Sequence, residues 1–235
     1  MDDVQIYVWH PFSYDHAMTA CTLSRNCGRL EAEYTATVGK KGSPAEHMAY
    51  ATGSVIASFC FLEASINEFY AAAGREGLQS AGGCGGLEAG DLGVIAQVAD
   101  AVEKVPTLEL FRLALTVLRR PLLYRGTQVY ADADLLRRLR NELVHYTPRL
   151  LPADTGESGG VVDRRKMVEQ LRQRGFAPSA FFADSSNPYF PQKCLGHGCT
   201  TWAWKTALAF ADAFYSGLGI TPPYENARAA GRLEP

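Results

Sequence analysis

The residues best equipped for chemistry are Arg140-Asn141-Glu142-Leu143-Val144-His145, which set a phosphate-gripping cation, an amide and a titratable imidazole within two helical turns. Arginine holds phosphate oxygens in a planar fork, and histidine moves protons near neutral pH. Those are the parts that a metal-free ribonuclease needs: a group to take or give a proton, and a fixed cation facing the phosphorus as charge grows there. A second group of reactive side chains, Cys194, His197 and Cys199, lies closely spaced nearer the carboxyl end. Two thiols and an imidazole suit zinc, but a structural zinc takes four ligands and usually pairs them in knuckles. Cys84 is the only distant candidate for the fourth, and a thiol contact at a helix entry is the plainer alternative. His10, His16 and Cys21 match no metal-site spacing.

The motif needs a helix to carry it, and Asp132 to Tyr146 supplies one. At about 100° per residue, Leu135, Leu136, Leu139, Leu143 and Tyr146 gather on one side. Measured from Leu139, Asn141 falls at about 200° and His145 at about 240°. The two are an i, i+4 pair on the side away from the leucines, Arg138 shares that side, and Arg140 flanks it. Such a polar face is either solvated, or a structural polar cluster, or one wall of a cleft completed by a second subunit. Pro148 ends the helix. A second long helix is expected from Ser43-Pro44-Ala45-Glu46, with a capping Ser, Pro at the first helical position and an acid in the first turn. It runs to about Ala73, with Val55, Phe59, Leu62, Ile66 and Phe69 as its apolar stripe and Glu63, Asn67 and Tyr70 as a neighbouring polar row. Further helices are expected over 91–105, 107–120, 163–174 and 200–218.

Residues 1 to 44 read differently. Val4 to Trp9 has strand propensity, and Leu30 to Val38 alternates with β-rich residues, so a small β appendage is expected before a helical bundle over residues 45 to 218. Gly82-Gly83-Cys84-Gly85-Gly86 reads as a flexible connection rather than a phosphate loop, since no Lys-Ser or Lys-Thr follows it. Pro222-Pro223 onward reads as a mobile tail over 219 to 235.

The 235 residues suffice for a full core without disulfides or metal. The amino terminus lacks the basic and apolar regions of a secretory signal. No charge-free apolar run reaches the roughly 18 residues of a membrane span, so no membrane partner is expected. Six cysteines in no framework pattern suit reduced thiols and a cytoplasmic location. A net charge of −2 excludes wholesale electrostatic binding of nucleic acid. Charge is uneven, however: between Arg112 and Arg149 eight arginines face only Asp132, Asp134 and Glu142. That excess centres on the motif; its plainer reading is a snorkelling, solvated helix face.

Arg140-Asn141-x-x-x-His145 resembles the Arg-x4-His motif of the HEPN superfamily of small helical proteins. Ser58 to Tyr70, with Glu63 and Asn67, is similar to the long early helix of HEPN-like proteins, and Cys199 to Ala207 to their closing helix. The resemblance covers roughly residues 45 to 218. It implies a mainly α, up-and-down bundle and a homodimer in which two copies of the motif meet. It implies RNA as the substrate, cut through its own 2′-hydroxyl, with no cofactor. Arg140, Asn141 and His145 would be the catalytic residues; Glu63 would set a carboxylate near them, with Asn67 and Arg138 in support. Proteins of this kind often act in toxin–antitoxin or anti-phage defence beside an antitoxin or sensor. Others are non-catalytic RNA- or nucleotide-binding or assembly modules, which is the alternative here.

Overall fold

A computed structural model describes residues 8–38, 41–102, 104–145, 147 and 162–235. The chain is mainly helical, and no strand forms among the described residues. Among the described residues eight α-helices follow in order: α1 (Phe12–Ala36), α2 (Pro44–Ala73), α3 (Ala89–Val98), α4 (Thr107–Val117), α5 (Gln128–Val144), α6 (Val162–Gln173), α7 (His197–Leu218) and the short α8 (Glu225–Ala229). One 3-10 turn, Ala99–Val102, prolongs α3.

The central element is α2. Ser43 caps it by accepting from the Glu46 amide at 3.3 Å, and Pro44 fills its first turn, as the sequence predicts. It is long and apolar enough to cross a membrane by length and composition, and 56% of its most apolar window is buried inside the bundle. That burial accounts for its composition here: α1, α5 and α7 all pack against it.

The β appendage is corrected by α1. Leu30 to Ala36, expected as a strand, is the last part of a 25-residue helix that also takes in the irregular stretch after His10. Of the other expected strand, residues 4 to 7 lie outside the described residues, and Val8 and Trp9 have no regular structure. The physical reason lies in the face that α1 buries: Ser13, Ala17, Ala20, Ser24 and Cys27, spaced by four and three. These small residues let α1 lie close along α2, where the Ser54 hydroxyl donates to the Ala20 carbonyl at 2.8 Å. α1 is therefore part of the bundle core, not an appendage beside it.

Two helix starts lack a side-chain cap of their own and borrow one. Pro11 precedes α1, and Glu68 of α2 accepts there from the Ser13 amide (2.8 Å) and hydroxyl (2.5 Å). Gly196 precedes α7, and Glu31 of α1 accepts there from the His197 amide at 3.0 Å. A carboxylate at a helix start satisfies free amides and meets the positive end of the helix dipole.

α7 runs through the middle of the molecule. Phe69, Phe111, Phe210 and Phe214 pack edge to face at centroid distances of 4.9 to 5.3 Å, the arrangement that ring quadrupoles favour. The residues expected as a mobile tail pack onto this core. Tyr224 and Leu233 are buried, Tyr224 donates to Asp212 at 2.9 Å, and the Trp204 indole donates to the Leu233 carbonyl at 2.7 Å. The glycine run is likewise packed rather than free. Cys84 is fully buried, and Gly83, at φ +82°, has no room for a side chain because a Cβ would stand 2.4 Å from the Tyr215 hydroxyl.

Candidate functional site

The motif helix is α5, capped by Thr127, whose hydroxyl accepts from the Tyr130 amide at 3.3 Å. Leu135, Leu136 and Leu139 are fully buried, as the stripe predicts. His145 is the residue at which the helix stops (φ −107°, ψ 36°): its amide still donates to the Asn141 carbonyl at 2.9 Å. Its side chain is exposed and stands away from the leucines.

Arg140 points to the other side, toward α2. By helix geometry it lies about 140° from His145 around α5. Its guanidinium pairs with Glu63, donates to the Asn141 side-chain oxygen at 3.0 Å and lies over the Phe59 ring, 5.3 Å from its centroid. The Thr107 hydroxyl at the start of α4 donates to the other Glu63 oxygen at 3.4 Å. Cys60 completes the group; burial pushes its thiol up, Glu63 adds to this and Arg140 opposes it. The pair is partly open to solvent, 21% for Arg140 and 30% for Glu63, so the guanidinium is held in one orientation with an edge still accessible.

The supporting residues divide. Glu63 meets Arg140, as expected. Asn67, one turn further along α2, does not; it is exposed and lines a separate groove of about 410 Å³ with residues of α3 and α4. Arg138 faces α6, pairing with Asp134 at 3.2 Å and donating to Gln170 at 2.6 Å. It lines a wider groove of about 700 Å³ between α4, α5 and α6, with Arg125, Arg137 and Lys166 facing Glu109 and Asp134. Glu109 anchors one wall. Burial alone would raise its pKa, but hydrogen bonds from Tyr130, Arg125 and Arg112 outweigh it and hold the carboxyl below the usual range.

Of the suggested zinc set, Cys194 and Cys199 meet thiol to thiol, the plainer contact at a helix entry, but His197 does not join them. The His197 ring turns away to the Ser24 carbonyl, 3.1 Å off, over Gly28, where a Cβ would sit 2.9 Å from the imidazole. Cys84 lies near Tyr215, toward the opposite end of α7. Sequence reading missed a different trio: Cys27 and Glu31 of α1 with His47 of α2, whose ligand atoms all lie within 4.8 Å of one another. Its signal is faint, since His47 is separated from Glu31 by the turn between two helices and the pair closes only when the α1–α2 hairpin forms.

Comparison of the chain with protein-family models, with curated proteins and with solved structures finds no match in any of the three.

Proposed function

We propose that the chain is a metal-independent endoribonuclease of HEPN type with a HEPN-like bundle fold, working as a homodimer on RNA, in a cytoplasmic toxin or defence role beside an antitoxin or sensor. The observation that carries this reading is the state of the motif. Arg140 is oriented by Glu63, Asn141 and Phe59, while His145 stands exposed at the end of the same helix. In the reaction, the 2′-hydroxyl attacks the adjacent phosphorus in line. His145 takes that proton or protonates the departing 5′-oxygen, and Arg140 stabilises the non-bridging oxygens. Because Arg140 and His145 point to different sides of α5, one chain does not assemble both around a phosphate. Two copies meeting at the α5 ends supply an acid, a base and two cations.

A second reading, a non-catalytic RNA-binding or assembly module, also has an observation in its favour: the charge of Arg140 is already matched by Glu63. The two part on one experiment, in which pooled tRNA and mRNA are incubated with wild type and His145→Ala without added divalent metal. The enzyme gives 2′,3′-cyclic phosphate and 5′-hydroxyl ends, spares 2′-deoxy substrates, and loses about 10²–10⁴ in rate on His145→Ala. Undiminished cleavage by a folded His145→Ala overturns the assignment of that residue. Binding without cleavage by wild type moves the conclusion to the second reading.

A further inference from the structure

We propose that Cys27, Glu31 and His47 form a zinc-binding clasp that ties α1 to α2 at the end of the bundle where α7 begins. The donors are a thiol, a carboxylate and an imidazole, a set suited to zinc. Cys27 and His47 are fully buried, and the Glu31 side chain is 17% exposed. The His47 Nε2 is 2.8 Å from a Glu31 oxygen and 3.5 Å from the Ser179 hydroxyl, so three polar groups from separate segments converge on one point. Tetrahedral zinc holds its ligand atoms about 3–4 Å apart, given bonds of about 2.0–2.3 Å, so the 2.8 Å His47–Glu31 contact opens slightly while the wider separations, up to 4.8 Å, close in.

The charges at the site close once zinc is bound. Burial pushes the Cys27 thiol well up, and the Glu31 carboxylate adds to this, so without a cation the thiol stays protonated. Zinc inverts that balance. It displaces the Cys27 proton to solvent and takes a lone pair of the His47 imidazole. One thiolate and one carboxylate then neutralise the dication, leaving no net buried charge. Water or the Ser179 hydroxyl takes the fourth position. Glu31 also accepts from the His197 amide, so the metal would brace the start of α7 through a ligand that already caps it. The clasp is separate from the motif: His47 and Glu63 are about 24 Å apart along α2 at 1.5 Å per residue.

The test uses the full chain, stripped of metal with a chelator and then given zinc or cobalt chloride. Wild type is expected to take up stoichiometric metal and to gain thermal stability with zinc. With cobalt it is expected to show the thiolate-to-metal charge-transfer absorption. Cys27→Ser loses the band and the thermal gain, His47→Gln loses the thermal gain, and Cys84→Ser keeps both. A folded wild type that takes up neither metal overturns the clasp and leaves a buried Glu31–His47 pair. So does a cobalt band that survives Cys27→Ser. Because the wild-type measurement needs no variant, a misfolded Cys27→Ser does not decide the outcome. Metal content and RNA cleavage are separate readings, so either proposal fails alone.

Discussion

At the scale of single residues, Arg140 illustrates what distinguishes a positioned cation from a surface one. It has a carboxylate, an amide oxygen and an aromatic face as neighbours, and only a planar guanidinium meets all three. Arg140→Lys keeps the charge and loses the fork, so cleavage is expected to fall about 10²–10³ while the melting temperature changes little. Rates and melts on the same samples check this. Glu109 offers a pH test. Its folded-state pKa lies below its unfolded value, because hydrogen bonds from Tyr130, Arg125 and Arg112 outweigh burial. It therefore contributes stability above the ordinary carboxylate range, and that contribution fades as pH falls through the range and below it. Urea midpoints of wild type and Glu109→Gln should converge on acidification; a gap that widens would refute the linkage. Of the candidate site, the trio on α5 was legible because helical spacing fixes which side each residue faces. That Glu63 captures Arg140 was expected from the resemblance and not from spacing, since it depends on how α2 crosses α5. The divergence of Asn67 was not legible: it shares a row with Glu63 yet reaches past α5 to α3 and α4.

Elements differ in how plainly they announce themselves. α2 declared its start through Ser43 and Pro44 and its buried face through large apolar residues four and three apart. α1 gave no such pattern, because the surface it buries is Ser, Ala and Cys with Leu30 as its one large residue. Hydrophobic periodicity detects large side chains, whereas close helix approach selects small ones, so α1 was hidden by the very feature that docks it. The β-propensity of its last residues was overridden by that docking. The glycine run was misjudged for a related reason: its freedom is spent on fitting a turn between α2 and α7. Gly83→Ala should lower unfolding free energy by about 1–3 kcal/mol, measured by urea titration, through strain at positive φ and collision with Tyr215. The groove between α4, α5 and α6 carries an expectation of its own. If its cations contact RNA phosphates, Arg137→Ala weakens binding evenly across sequences. It also reduces the slope of log affinity against log salt by about one, with part of the effect already offset by Asp134, 2.8 Å from Arg137.

For the whole molecule, the chain closes on itself. Residues near its start cap or brace the helix near its end, and its last residues pack on the middle of that helix. A bundle built this way should unfold in one step, and removal of residues 221–235 should destabilise all of it, not fray one edge. Calorimetry on the shortened chain distinguishes a lowered single transition from an unchanged one. Trp204 makes the same event visible with light. Its indole is fully buried, edge-on to Phe61 at 5.1 Å, with its nitrogen on the Leu233 carbonyl. Indole emission moves to longer wavelength when that ring meets water, so peeling away the carboxyl-terminal segment shifts the spectrum to the red. The protein thus carries an unlabelled fluorescent gauge of whether its carboxyl-terminal segment stays docked on the core.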